Sequence, residues 1–220
     1  LVLADDAMTP GFLFNAETQL LYDDNVYRTT NNQDSDTAFI VKPKLAWHAV
    51  HGAHLFDLSY AGDYGNYFDQ NALDYTNHKF TAHALLDHSA RLNTDYTLGY
   101  ERGSDKPGSN DGISIEGEEP DEWNNSAFDA LIEYGNSDSH GQLVGRIIYE
   151  EWRYTNNDSE FRDYNQVGAT GTFYYRLAPR TRLLFELDYD DNDYQESDIF
   201  GNNQSNKEYS YLTGLTWEAT

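Results

Sequence analysis

Residues 166–193 carry the pattern that recurs along the chain. Val167, Ala169, Gly171, Phe173, Tyr175 and Leu177 alternate with Gly168, Thr170, Thr172, Tyr174 and Arg176. After Ala178-Pro179-Arg180, the residues Leu183, Phe185, Leu187 and Tyr189 alternate with Leu184, Glu186, Asp188 and Asp190. A period of two with one apolar face is the mark of a β-strand that buries that face against something else. Pro179 sets φ for a tight turn and has no N–H to give a ladder. The segment therefore reads as a hairpin, and its far end, Asp190-Asp191-Asn192-Asp193, as an acidic loop.

The same period predicts ten strands in all. Phe12, Phe14, Ala16, Thr18, Leu20 and Tyr22 form the apolar side of the first, and Phe39, Val41, Pro43, Leu45 and Trp47 that of the second. In the third, Phe56, Leu58, Tyr60 and Tyr64 oppose Asp57, Ser59 and Asp63, and in the fourth Phe80, Ala82, Ala84 and Leu86 oppose Lys79, Thr81 and His83. Leu92 to Tyr100 alternate in the fifth, residues 128–134 in the sixth, 142–154 in the seventh and 208–219 in the tenth. Connections after odd-numbered strands are long and acidic, and those after even-numbered strands are short. Up-and-down antiparallel topology then gathers every long loop at one end. With strands of about ten residues and aromatics near their ends, this is the signature of an outer-membrane barrel. Soluble sandwiches, lipocalin-like barrels and jelly rolls also alternate, but on strands nearer five or six residues. The expectation is an all-β, antiparallel, up-and-down transmembrane β-barrel in a single domain. Residues 1–10 would be a periplasmic N-terminal segment and 12–219 the barrel strands.

Composition sharpens this picture. The 220 residues include 18 Tyr, 11 Phe and 4 Trp and carry a formal charge of -24. Charge this high with few aliphatics would suggest disorder, were disordered chains not poor in aromatics and lacking strict alternation. The acidic balance excludes non-specific nucleic-acid binding, which needs Lys and Arg on phosphates. The chain has no cysteine, so no disulfide framework, thiolate metal site or cysteine nucleophile is available. No apolar run approaches the length of a membrane helix, which leaves barrel strands untouched. Leu1-Val2-Leu3-Ala4 reads equally as the tail of a cleaved secretory signal or as an ordinary frayed terminus.

The polar alternate positions would line a water-filled interior. They supply Glu17, Asp57, Asp95, Asp129, Glu133, Glu150, Glu186 and Asp188, with Lys42, Lys44, Lys79, Arg146 and Arg176 as cations. Acidic rings favour cations and repel anions, so a cargo would be neutral or cationic, or the acids would pair with the bases. His48, His51 and His54 have a spacing that a turn could fold into a metal site, although on extended chain it sends side chains to opposite faces. The acidic groups Asp34-Ser35-Asp36, 116–122 and Asp190-Asp191-Asn192-Asp193 could hold Ca²⁺ loosely, bridged to lipopolysaccharide. None has EF-hand spacing. Asp74, His78, Asp87 and His88 offer the atom types of a rim hydrolase like the omptin-type surface proteases, provided they converge.

Leu21-Tyr22-Asp23-Asp24-Asn25-Val26-Tyr27-Arg28-Thr29 resembles the start of outer-membrane β-barrel porins found with exopolysaccharide secretion systems. Similar pieces recur at Tyr189-Asp190-Asp191-Asn192 and in Gly214-Leu215-Thr216-Trp217-Glu218-Ala219-Thr220. The resemblance implies an export pore in the outer membrane of a Gram-negative bacterium. Its partners would be lipid, lipopolysaccharide, a polysaccharide cargo and periplasmic secretion components, and the family brings no catalytic motif or cofactor. Such barrels end on a strand with a terminal aromatic, whereas this chain ends Glu218-Ala219-Thr220, so the expectation is the N-terminal part of a larger barrel. The alternative functions are a surface-binding barrel with a plugged lumen and the rim hydrolase.

Overall fold

The computed structural model describes residues 10–106, 119–136, 138–198 and 200–217. Ten strands follow one another: β1 (Gly11–Asp23), β2 (Asp36–His51), β3 (His54–Tyr67), β4 (Tyr75–Ser89), β5 (Leu92–Ser104), β6 (Glu122–Tyr134), β7 (Gly141–Tyr154), β8 (Tyr164–Ala178), β9 (Thr181–Tyr194) and β10 (Asn206–Trp217). They form one antiparallel sheet in sequence order, each strand hydrogen-bonded to the next, with β1 and β10 as its edges. Two single turns of 3₁₀ helix, Asn71–Leu73 and Glu160–Arg162, sit in the long connections. Among the described residues no helix is long and apolar enough to cross a membrane. The up-and-down all-β architecture is as the sequence predicts. The N-terminal segment and the signal-like Leu1-Val2-Leu3-Ala4 lie outside the described residues, as do 218–220.

The register carries the alternation unbroken from edge to edge. Directly paired residues share a face, and one row runs Trp47, Leu58, Ala82, Leu98, Phe128, Tyr149 and Val167, then reaches Asp191 and Lys207. The row starts near the short-turn end on β2 and finishes near the long-loop end on β9 and β10. That drift is the stagger of strands tilted to the axis of a barrel. Pro43 lies inside β2, where a missing N–H breaks a ladder. The β2–β3 pairing is interrupted at Lys42 and Pro43 and resumes in the same register.

The two faces differ in crowding as well as polarity. On the apolar face Leu58 is 50%, Phe80 48%, Leu98 56% and Leu187 58% exposed. Along β8 the polar-face residues from Tyr164 to Arg176 are buried or half-buried while Val167, Ala169, Gly171, Phe173 and Tyr175 are exposed, which marks the polar face as the concave one. An exposed apolar surface of this width far exceeds what a soluble monomer shows. Two aromatic belts bound it. Phe12, Trp47, Phe56, Tyr134, Tyr175 and Trp217 lie toward the short turns, and Tyr22, Tyr64, Tyr100, Tyr149, Tyr189 and Tyr209 toward the long loops. Three of the outer tyrosines donate their hydroxyls outward: Tyr100 to Asn124 Oδ1 (3.0 Å), Tyr149 to Glu151 Oε2 (3.0 Å) and Tyr189 to Asp191 Oδ2 (2.9 Å). An aromatic body against lipid with its polar tip in water is the girdle arrangement. Phe39 to Trp47 spans eight rises of about 3.3 Å, about 26 Å along the strand, enough for a tilted strand to cross most of a thin apolar band.

Several strands run further at the loop end than the apolar alternation predicts. β3 continues to Tyr67, β6 begins at Glu122, and β9 runs to Tyr194. Asp190-Asp191-Asn192-Asp193 is therefore strand, not loop: Asp190 pairs with Gly168 and Asp191 with Val167. Beyond the apolar band both faces meet water, so hydropathy alternation stops while the ladder continues. Successive carboxylates there point to opposite faces and cannot converge on one Ca²⁺.

The described connections at this end pack on one another, since a single sheet offers them little core. Val26, Tyr27 and Leu73 are buried together against Tyr67. The Asp36 carboxylate, predicted as a possible cation ligand, instead accepts the N–H groups of Asp69 (3.1 Å) and Gln70 (2.8 Å). In a second cluster Arg162 bridges Asp105 (3.0 Å) and Asp121 (2.9 Å) while its guanidinium lies 3.9 Å from the Tyr154 ring centroid. Asn156 and Asn157 fasten the same region through Pro120 O (3.0 Å) and Asp121 Oδ1 (2.9 Å). Burial raises the Asp163 carboxyl above the ordinary carboxylate range, against the lowering effect of the Tyr154 N–H that it accepts at 2.7 Å. Of the acidic stretch 116–122, residues 116–118 lie outside the described residues.

Candidate functional site

Every ionisable residue predicted for the inner side falls on the polar face. Glu17 lies opposite Lys42, with Lys44 two residues along. Lys79 is opposite Glu101, and Asp95 is opposite Leu85. Asp129 and Glu133 face Thr97 and Asn93. Arg146 and Glu150 face Thr170 and Gln166, and Arg176, Glu186 and Asp188 face Arg182, Thr172 and Thr170.

Cross-strand partners bring some of these groups together and leave others apart. Arg146 donates through Nε to both carboxylate oxygens of Asp129 (3.0 and 3.1 Å). Lys79 reaches Glu101 at 2.6 Å, and Lys42 reaches Asp63 at 3.5 Å rather than the Glu17 opposite it. Arg176 turns toward the short connection, donating to Asp138 O at 2.7 Å. Carboxylates toward β10 meet neutral partners. Glu186 accepts the Thr172 hydroxyl (2.8 Å), Asp188 the Ser210 hydroxyl (2.9 Å), and Glu150 the Asn125 amide (2.8 Å) and the Trp152 indole N–H (2.7 Å). Arg146, Arg176 and Arg182 lie on β7, β8 and β9 but engage Asp129, Asp138 and Gln142, which leaves Glu150, Glu186 and Asp188 hydrogen-bonded to neutral groups alone.

A histidine–carboxylate chain crosses β2 to β5. His48 Nδ1 contacts Asp57 Oδ1, Asp57 Oδ2 lies 3.1 Å from His83 Nδ1, and His83 Nε2 lies 2.8 Å from Asp95 Oδ1. Sequence reasoning placed His83 on the polar side and gave it no role. Only the register, which sets His83 opposite Asp57 and one strand from Asp95, reveals it. The three histidines weighed as a metal cluster separate: His48 is on the polar face, while His51 and His54 flank the Gly52-Ala53 turn on the apolar side. Among the described residues no three His, Cys, Asp or Glu side chains gather as a metal-ligand set.

The hydrolase candidates do not converge. The Asp74 carboxylate accepts the Tyr67 N–H (2.7 Å) and the Asn66 amide (3.1 Å). His78 lies on the apolar face with Nδ1 2.9 Å from the Tyr60 hydroxyl. Asp87 and His88 are at the opposite end of the sheet, where His88 Nε2 lies 2.8 Å from Thr94 Oγ1.

The long-loop end of the polar face also carries aromatic rings, to which the sequence reading gave no role. Trp123 and Trp152 have centroids 4.4 Å apart, Trp152 and Tyr164 stack at 6.4 Å with 19° between planes, and Tyr164 and Tyr194 follow at 5.4 Å. Glycine makes room for such rings. A Cβ on Gly103 would come within 2.4 Å of the Trp123 ring, and one on Gly65 within 2.2 Å of the Tyr75 ring.

The family model described as Putative beta-barrel porin 2 matches residues 11–220. No curated protein and no solved structure matches the chain.

Proposed function

The chain belongs to the Putative beta-barrel porin 2 family, and from that premise we propose that it forms wall of a water-filled channel in a Gram-negative outer membrane. The solute we assign to it is a neutral polar one, an exopolysaccharide leaving the cell. The observation that carries this reading is the division of the sheet into one apolar face bounded by aromatic belts and one concave face of ion pairs, amides and excess carboxylate. Lipid satisfies the first face and water the second. In hydrocarbon the open ladders of β1 and β10 could not stay unpaired, so the wall closes in the membrane by further strand pairing. Lipopolysaccharide around the outer belt and periplasmic secretion components at the short turns are the partners this arrangement would meet.

Uncompensated Glu150, Glu186 and Asp188 should make the lumen prefer cations. Reconstituted in planar bilayers, the protein is expected to give ohmic current with a cation-selective reversal potential. Paired Glu150→Gln and Asp188→Asn substitutions should weaken that selectivity. Absence of conductance would favour a second reading, a surface-binding barrel with an occluded lumen. The tightly fastened outer connections around Arg162 are the feature that speaks for it.

A further inference from the structure

The aromatic row at the mouth of the polar face does not suit the ordinary role of either face. Rings of an interfacial girdle point to lipid, yet Trp152, Tyr164 and Tyr194 lie on the side that bears Glu150, Gln166 and Asn192. Trp152 pairs with Tyr164, Tyr164 with Tyr194, and one pleat deeper Glu150 pairs with Gln166 and Gln166 with Asn192. A polar lumen that needed only water and ions would gain nothing from three adjacent apolar ring faces.

The rings also border a cavity of about 400 Å³, shared with Tyr154, Arg162 and Gln204. That volume lies within the range of about 300–1,000 Å³ typical of small-molecule sites. Its composition resembles such a site in another way: broad apolar ring faces with a few directional polar groups at the margin. Gln204 offers an amide and Arg162, held in place by Asp105 and Asp121, a guanidinium, while Glu150, Gln166 and Asn192 lie one pleat deeper on the same face.

We propose that Trp152, Tyr164 and Tyr194 form a stacking track for a neutral pyranose chain at the outer mouth of the channel. A pyranose has two faces of C–H bonds, which carry partial positive charge and suit the negative face of an aromatic ring. Its edge carries hydroxyls, which suit the carboxylate and amide row one pleat deeper. Successive rings 5.4 and 6.4 Å apart let a chain pass from one platform to the next without leaving all contact. Acidic polysaccharide is disfavoured, since Glu150 and Asp190 lie on the same face as the path. Nucleobases could stack on the same rings, but their phosphates would meet the same acid.

The inference rests on the polar face being the lumen, and the experiment separates the two claims. Maltohexaose and cellohexaose serve as α- and β-linked neutral probes, read by tryptophan fluorescence of the protein in lipid vesicles and by blockade of current in planar bilayers. The expected result is saturable quenching by at least one probe, weakened tenfold or more in Tyr164→Ala and in Tyr194→Ala. Ionic conductance should be unchanged in both variants, and Tyr149→Ala on the apolar face should bind like the parent. Conductance with no response to either probe overturns the track and leaves the channel standing. Probe binding that is lost in the variants of a protein without conductance supports the track and overturns the channel. Quenching unaltered by both substitutions overturns the track.

Discussion

Placing one arginine on each face of neighbouring strands tests the assignment of lipid and water in units of energy. Phe185 is at the middle of the apolar stretch of β9, between Thr181 and Tyr189, is 48% exposed, and pairs with Phe173 and Thr213. Arginine at the midplane of a barrel's lipid face costs about 2–4 kcal/mol. Loss of the phenylalanine's transfer from water adds about 1–2 kcal/mol, since only part of the ring is lipid-facing. Phe185→Arg is therefore expected to destabilise the barrel by about 3–6 kcal/mol, more than a hundredfold in the folding equilibrium. Thr170 lies on the opposite face with Arg146 on one flank and Asp188 on the other. A guanidinium there finds water, one like charge and one opposite charge, so Thr170→Arg should cost no more than about 1 kcal/mol. Guanidinium titrations of both variants folding reversibly into phosphatidylcholine vesicles measure the difference. Equal costs, or a larger one at Thr170, would refute the face assignment.

Two further outcomes concern the outer connections. Arg162→Ala leaves Asp121, whose side chain is 2% exposed, and Asp105 without their cation. The loop cluster should loosen by about 1–3 kcal/mol, less than the roughly 3–5 kcal/mol of a fully buried pair because Arg162 keeps some solvent contact. Limited proteolysis should then cut the outer connections faster while thermal unfolding in lipid barely moves. Asp163 has a carboxyl whose pKa burial has raised. Its contribution to the cluster is fully present below the ordinary carboxylate pKa and is lost as pH rises through the raised value. Protease resistance of the 155–163 connection should accordingly fall across that window in the parent, and Asp163→Asn should remove the dependence; a flat parent profile would contradict it.

Much of the wall was legible in the sequence because period two is enforced wherever one side of a strand meets an apolar phase and the other does not. The pattern 167–177 against 183–189 became β8 and β9 in the register that keeps Phe173 opposite Phe185. Strand ends were illegible for the converse reason. At Asp190 to Asp193 water lies on both sides, so hydropathy carries no information about a ladder that continues to Tyr194. The buried cluster of Val26, Tyr27 and Leu73 joins segments far apart in sequence, and no local period announces it. His83 acquires its carboxylates only through neighbouring strands. Trp152 could have been found, since it shares parity with Arg146 and Glu150 along β7.

The most direct test of the account uses the absence of cysteine from the chain. Single cysteines at Thr170, Asp188 and Ser210 on the polar face, and at Ala169, Leu187 and Tyr211 on the apolar face, would be treated with a membrane-impermeant thiol reagent in lipid vesicles. The first three are expected to react at rates typical of water-exposed thiols and the second three to be protected. Uniform labelling of all six, or protection of the polar set alone, would contradict a membrane wall with its lumen on that face.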